Sequence, residues 1–233
     1  MRLSCLILLL LSAKCFAQYP FEKNRVKKYD SIKFVKSKIN DSNEMAIAHY
    51  KNYTIKLVDG TLDNGGAVEL YLKNKLIKKF NGYFVNMTYI TDFLYVEDID
   101  NDGRPDFIIN TYNGACGGLA CSNIYTTYLM NKGKGNFRII SYEGFYNKPQ
   151  KEYLFNGAYR VIGQSLATYK GHNYWLFDLY DIKNSKLINV SKQHGYPVAV
   201  PYLYNQTFKP THKISKGQLA KLSLPQPDLF SRR

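Results

Sequence analysis

The feature that most constrains this sequence is a series of short segments in which apolar and polar residues alternate, separated by turns rich in Gly, Asn and Asp. "YTIKLV" at residues 53–58 and "AVELYL" at residues 67–72 are two of them, joined by "DGTLDNGG". Alternation with period two places the apolar side chains on one face of a β-strand. The 21 Tyr and 13 Phe also favour strands. We therefore predict an all-β fold of antiparallel sheets, arranged as a sandwich or as propeller-like blades.

The same pattern predicts the remaining organisation of the chain. Further strands are expected at residues 75–80, 93–96, 107–110, 124–130, 137–145, 174–182 and 186–190. Helical turns are possible only near residues 41–48 and 216–222. Residues 18–44 are expected to form a lysine-rich lead-in with weak patterning and one strand at most, residues 45–222 a single β-rich domain, and residues 223–233 an extended basic tail.

The amino terminus has the pattern of a cleaved signal peptide. Met1-Arg2 precedes a short apolar run, and Ala17 provides a small residue at the cleavage position before Gln18. Lipoprotein processing at Cys15 is an alternative, but Lys14 fits it poorly. The apolar run is too short for a permanent membrane span. We predict removal of residues 1–17 and a secreted or periplasmic mature protein.

The cysteines agree with export. Cys5 and Cys15 would leave with the signal peptide, so the mature chain keeps Cys116 and Cys121 in "GACGGLACS". In an oxidising compartment two cysteines this close are expected to form a disulfide, with two free thiols as the alternative. No second Cys/His pair lies at the spacing of a zinc site.

The acidic stretch "EDIDNDGRPDF" at residues 97–107 is unexpected in a chain of formal net charge +14. Its aspartates repel one another unless a cation neutralises them. Ca²⁺ binds six to eight oxygen ligands. Four aspartates at offsets 0, 2, 4 and 8, and the carbonyl of a residue at position 7, would supply most of them: Asp98, Asp100, Asp102, Asp106 and Arg104. Gly103 lies at position 6, where calcium loops bend sharply.

The surroundings of this stretch differ from those of a helix–loop–helix calcium hand. Position 12 is Ile109, where such a hand has a bidentate Glu, and the flanking segments have strand character. Pro105 favours an extended backbone at Arg104. We predict a strand–loop–strand calcium site. An acidic, solvated turn without metal is the alternative interpretation.

"DIDNDGRPDFIIN", followed by "YLMNKGKGNF", resembles one repeat of the FG-GAP/VCBS family, at residues 98–137. Asn131, Gly133, Gly135 and Phe137 match the second half of that repeat. The resemblance implies a propeller-type β-blade with Ca²⁺ in the acidic loop, bound by the same five residues. No second copy is recognisable, and one repeat cannot close a propeller.

The sequence contains no recognisable catalytic motif. His49 lies beside a strand, whereas His172 and His194 lie in turns, as expected of surface or core histidines. Gly-x-Ser-x-Gly, His-Glu-x-x-His and P-loop patterns are absent. The prediction therefore leans towards a protein that is not an enzyme, with a secreted hydrolase that uses a histidine pocket as an alternative.

The positive charge indicates the class of partner. The mature chain would carry a formal +12, which suits a protein partner, an anionic glycan or the envelope surface. Edge-strand lysines that prevent aggregation also explain part of it. Nucleic-acid binding is not expected in an exported protein without a recognisable binding module. A calcium-stabilised binding domain is the leading hypothesis, and a purely structural envelope protein is a further alternative.

Overall fold

The structure is a computed structural model that describes residues 25–26, 29–39, 44–59, 66–83, 92–112, 124–144, 153–155, 158–202 and 210–223. Sixteen strands, one 3₁₀ turn and one short α-helix make up these residues. Every strand pairing among them is antiparallel. The predicted all-β, antiparallel class is confirmed. None of the described residues forms a helix long and apolar enough to cross a membrane.

The elements follow one another along the chain with short connections. The first eight strands are β1 (Arg25–Val26), β2 (Asp30–Lys33), β3 (Val35–Lys38), β4 (Glu44–Tyr50), β5 (Tyr53–Val58), β6 (Gly66–Leu72), β7 (Lys75–Tyr83) and β8 (Phe93–Glu97). The next eight are β9 (Asp106–Tyr112), β10 (Ile124–Asn131), β11 (Phe137–Gly144), β12 (Tyr153–Phe155), β13 (Ala158–Tyr169), β14 (His172–Lys183), β15 (Lys186–Asn189) and β16 (Val198–Pro201). The 3₁₀ turn is Ser191–His194, and helix α1 is Lys216–Leu222.

The strands form two sheets. The smaller sheet is a five-stranded meander in the order β3-β4-β5-β6-β7. The larger sheet has eleven strands, with β1-β12-β13-β11-β10-β9-β8-β2 in its main path and β14 joining β13 to β15 and β16. Strands β2 and β3 follow each other in sequence but lie in different sheets, so the chain passes from one sheet to the other between Lys33 and Val35.

The two sheets pack face to face around one apolar core. The five-stranded sheet contributes Ile55, Leu57 and Leu70, and strands β8 to β11 contribute large side chains such as Phe107 and Leu129. All five side chains are fully buried. This arrangement is sandwich-like, as one of the two predicted architectures requires.

Strands β8 to β11 are also covered on their opposite face. Ile108, Tyr128 and Ile140 alternate with the core residues of the first face and pack against Tyr180 and Ile182 of β14. Because side chains on both faces are buried, β8 and β9 contain nearly continuous apolar runs rather than alternating ones. The acidic loop connects two strands of this doubly covered region.

Several predicted elements can be compared with this arrangement. Helix α1 forms at residues 216–222 as predicted, whereas residues 44–50 form β4 and not a helical turn. The lead-in at residues 18–44, expected to hold one strand at most, contains β1, β2 and β3, with Phe34 buried in the core between β2 and β3. Residues 1–17, the Cys116–Cys121 pair and the tail from residue 224 onwards lie outside the described residues.

Candidate metal centre

The acidic loop at residues 98–105 connects β8 to β9. Glu97, the last residue of β8, pairs with Asp106, the first residue of β9. The sheet therefore holds the two ends of the loop next to each other. Asn101 and Gly103 have positive φ angles of 55° and 79°. Gly and Asn adopt this left-handed conformation at the lowest cost, which explains why these residue types occupy the bends of the loop.

Asp98 is the residue around which the loop folds. Its two carboxylate oxygens accept hydrogen bonds from the backbone N–H groups of Asp102, at 2.9 Å, and Gly103, at 2.8 Å. A short acidic side chain at this position therefore satisfies two amides that would otherwise lack partners within the loop. The hydrogen bonds also hold the Asp98 carboxylate on the inner side of the bend.

Asp106 links the loop to the neighbouring hairpin. Its side chain is completely buried and accepts hydrogen bonds from the N–H groups of Ile99, at 3.0 Å, and Asn131, at 2.7 Å. The pKa of Asp106 is raised to about 7, chiefly by burial and to a smaller extent by the negative charges of Asp100 and Asp102, although the two backbone hydrogen bonds lower it. A buried carboxylate with this environment is stabilised by any cation that enters the loop.

Three carboxylates converge in the centre of the loop. One oxygen each from Asp98, Asp100 and Asp106 lies within 4.8 Å of the other two, a spacing that could hold a metal ion. The Asp100 side chain is only 10 % exposed. Its Oδ1 atom is buried and has no hydrogen-bond partner among the described residues. An unsatisfied buried carboxylate oxygen is energetically costly, and a bound cation would remove that cost.

Two basic side chains neutralise part of the acidic charge. Arg104 forms an ion pair with Asp102 through Nη2, and its Nε donates to the carbonyl of Asn131 at 3.2 Å. Lys132 forms an ion pair with Asp100 Oδ2. Four aspartates and two cations leave a formal charge of −2 in the loop. That residual charge equals the one a single divalent cation would neutralise.

The glycine-containing turn between β10 and β11 packs against the loop. The Asn131 side chain donates to the carbonyl of Pro105 at 3.2 Å and accepts from the N–H of Gly133 at 3.0 Å. Gly133 has a φ of 77°, and the Arg104 side chain covers it. The two sequence segments that resemble a repeat, residues 98–110 and 128–137, are therefore in direct contact.

The structure thus brings together three of the predicted ligands and places the other side chains beside them. Asp98, Asp100 and Asp106 face one another, whereas the Asp102 carboxylate lies against the Arg104 guanidinium. Spacing alone did not identify Lys132 as a neighbour of the site, because its contact with Asp100 spans 32 residues. No signal in the sequence marks that pairing.

Neither His49 nor His172 has an acidic side chain as a hydrogen-bond partner among the described residues. The exposed His49 is hydrogen-bonded through Nδ1 to Oγ1 of the buried Thr54 at 2.9 Å. The exposed His172 side chain forms no hydrogen bond or ion pair with any residue that the structure describes. The buried Asp178 accepts hydrogen bonds from Ser191, Ser223 and Asn189 and from no histidine.

Comparison of the chain with protein-family models, with curated proteins and with solved structures found no match. The resemblance to an FG-GAP/VCBS repeat therefore rests on the residues quoted above and stays a prediction.

Proposed function

We propose that this chain is an exported, calcium-stabilised β-domain that binds an acidic protein or glycan partner without catalysing a reaction. Ca²⁺ would bind in the loop between β8 and β9, held by Asp98, Asp100 and Asp106. The observation that carries this proposal is the convergence of one oxygen each from Asp98, Asp100 and Asp106 within 4.8 Å. Asp100 also has a buried oxygen, Oδ1, without a hydrogen-bond partner among the described residues.

The chemistry of the donor set suits a hard cation. All three side chains provide carboxylate oxygens, which Ca²⁺ prefers, and none of them provides the sulfur or imidazole ligands that favour zinc. The oxygens of Asp98 and Asp106 that accept backbone N–H groups keep a further lone pair for a metal. The Arg104 carbonyl and the Asp102 carboxylate, both expected from the spacing, and water molecules would complete the six to eight ligands.

Calcium at this position would connect two hairpins. Asp98 and Asp100 belong to the β8–β9 connection, and Asp106 is hydrogen-bonded to Asn131 at the end of β10. These strands form the layer that is covered on both faces by apolar side chains. A cation that fixes the loop therefore stabilises the most buried part of the fold, so we expect calcium to raise the free energy of unfolding of the whole domain.

Calcium titration of the chelator-treated mature protein, followed by thermal unfolding with and without Ca²⁺, tests this proposal. One-site binding is expected. At a hundredfold excess over the Kd, linkage contributes about 2.7 kcal/mol, or roughly 5–10 °C for a domain of this size. Asp100→Asn should abolish the shift. Asp30→Asn, which changes an exposed aspartate of the adjacent strand β2, should retain it. No calcium-dependent shift in the parent protein would refute the metal centre.

The partner-binding part of the proposal rests on the charge of the five-stranded sheet. This sheet and its two tight turns carry eight lysines and two glutamates: Lys36, Lys38, Lys51, Lys56, Lys73, Lys75, Lys78, Lys79, Glu44 and Glu69. Their formal sum of +6 is a large share of the net charge of +14.

Aromatic and basic side chains are mixed on the outer face of this sheet. Lys56 Nζ lies 4.6 Å from the ring centroid of Tyr71, and Lys79 pairs with Glu69 at 2.9 Å. Burial would raise the pKa of Glu69, but hydrogen bonds from Tyr71 and Lys79 lower it overall, which keeps this carboxylate charged. A surface of lysines with an adjacent tyrosine suits anionic groups that can also stack on a ring.

Retention on immobilised heparin, used as a probe for anionic glycans, tests the surface. Lys56→Gln combined with Lys75→Gln should lower the salt concentration at which the protein elutes. The control is Lys170→Gln combined with Lys183→Gln, which makes the same change of charge. Lys170 lies in the turn between β13 and β14, and Lys183 is the last residue of β14. Equal effects of both pairs would show that retention reflects net charge and not this sheet.

A further inference from the structure

Lys132 is the residue that the proposed calcium site leaves unexplained. It follows β10 directly, and its Nζ forms an ion pair with Asp100 Oδ2 across 32 residues of sequence. The lysine side chain is 28 % exposed and that of Asp100 is 10 % exposed. Exposed ion pairs contribute little to stability, but this pair is largely removed from water and lies in contact with the three-carboxylate cluster.

The position of Lys132 is fixed by the turn that carries it. Its N–H donates to the carbonyl of Asn136 at 2.8 Å, and the N–H of Asn136 donates to the carbonyl of Gly133 at 2.9 Å. Gly133, Lys134 and Gly135 have φ angles of 77°, 52° and 75°, so the backbone turns back sharply after Lys132. The backbone is held, whereas the lysine stem can change rotamer without disturbing the turn.

The second basic residue beside the carboxylates, Arg104, makes contacts that differ from those of Lys132. Arg104 is bound at both ends, through Asp102 and through the carbonyl of Asn131. Asp102 is outside the group of three carboxylates whose oxygens converge. Lys132 instead contacts a member of that group, the same carboxylate whose second oxygen has no partner. Of these two cations, only Lys132 contacts one of the three carboxylates whose oxygens converge.

We infer that Lys132 is a tethered cation that occupies part of the calcium site in the metal-free protein and withdraws from Asp100 when Ca²⁺ binds. This inference rests on the proposed function of the loop. In the absence of metal, the ammonium group neutralises one of three mutually repelling carboxylates and keeps the loop closed. In its presence, the ammonium group competes for Asp100 and repels the dication, so Lys132 weakens calcium binding and sets the concentration at which the site fills.

The substitution Lys132→Met tests the inference, since it keeps the length of the stem and removes the charge. We expect the calcium Kd to fall about tenfold, the order of magnitude for a unit charge several ångströms from a dication once the ammonium group has withdrawn from Asp100 into water. The chelated variant should unfold at a lower temperature than the chelated parent protein. Lys132→Arg should behave like the parent protein, and so should Lys134→Met, which removes an exposed charge from the same turn.

The outcomes separate this inference from the proposal on which it rests. Calcium binding by the parent protein with an equal or larger Kd in Lys132→Met would overturn the inference and leave the calcium site in place. Binding by Lys132→Met alone would overturn the inference, because the lysine would then block the site in the parent protein and not withdraw from it. Binding by neither protein would refute both.

A measurement on the unmutated protein makes the test independent of how the variant folds. Acetylation of individual lysines with a water-soluble reagent, followed by mass spectrometry, reports which amines are accessible. Lys132 should react several-fold faster in Ca²⁺ than in chelator, because the metal displaces its amine from Asp100, whereas Lys134 should react equally in both. A Lys132 rate that is unchanged or lower in Ca²⁺ would overturn the inference.

Discussion

The buried carboxyl of Asp106 predicts an unusual pH dependence for the metal-free protein. Its pKa is raised from 3.8 to about 7, chiefly because burial disfavours the charged form. A folded-state pKa above the unfolded value means that the folded protein binds the proton more tightly. The stabilisation is fully present below pH 3.8 and is lost as the pH rises to about 7. In chelator, the Asp106 contribution should therefore decrease between these values and remain constant above them.

The magnitude follows from the difference between the two pKa values. A separation of about three units corresponds to ~4 kcal/mol over the full range, and roughly 2.5 kcal/mol of this is lost between pH 5 and pH 8. That is a large fraction of the stability of an ordinary domain. Other groups titrate in the same range, so the contribution of Asp106 must be isolated by substitution.

Urea unfolding from pH 5 to pH 8 in chelator, for the parent protein and Asp106→Asn, provides the assay. The asparagine keeps one acceptor for Ile99 or Asn131 and leaves the other N–H without one, a cost of ~1–3 kcal/mol that does not depend on pH. The difference between the two curves should therefore change by roughly 2.5 kcal/mol across the range. Parallel curves would refute the assignment. In saturating Ca²⁺ the parent protein should lose this dependence, because a bound cation stabilises the ionised carboxylate.

Two further substitutions, each with a control, test buried contacts of the fold, and urea unfolding is the measurement for both. Leu57→Ala should destabilise the domain by ~3 kcal/mol, because the side chain is fully buried between the sheets. The control Val35→Ala, at a residue 67 % exposed, should cost less than ~0.5 kcal/mol. Similar values for both variants would contradict the sandwich core. Ser223→Ala should cost roughly 1.5–3 kcal/mol, because its hydroxyl donates to the buried Asp178 carboxylate at 2.7 Å. The exposed helix cap Ser215→Ala should cost only ~1 kcal/mol, and the reverse order would show that the Asp178 contact is not formed in solution.

The strands that could be predicted from the sequence are those with one apolar and one polar face. Residues 53–58 and 67–72 alternate clearly, and they form β5 and β6 with shifts of at most one residue. The continuous apolar runs that form β8 and β9 could also be predicted as strands, because turn residues limit their length. The sequence of these runs did not indicate that side chains of β14 cover their opposite face.

The strands that could not be predicted carry small residues where the others carry large ones. Strand β4 places Ala46 and Ala48 in the core, and β13 places Ala167 in another apolar cluster. Alanine gives little contrast between the two faces of a strand, so alternation is not visible in the sequence. In β3 all residues are exposed, and an edge strand of this kind has no apolar pattern at all.

The acidic loop shows the same limit at the level of the candidate site. Spacing within one segment identifies the carboxylates, since the residues that form a short loop are neighbours in sequence. The charges that balance them need not be neighbours: Arg104 comes from the loop itself, but Lys132 comes from the next hairpin. A basic chain can therefore hold an acidic loop closed without metal, and net charge alone could not reveal this. After both cations are counted, a formal charge of −2 remains, and Asp100 Oδ1 has no hydrogen-bond partner among the described residues. These two features are the grounds on which we propose a site for a dication rather than a merely neutralised acidic turn.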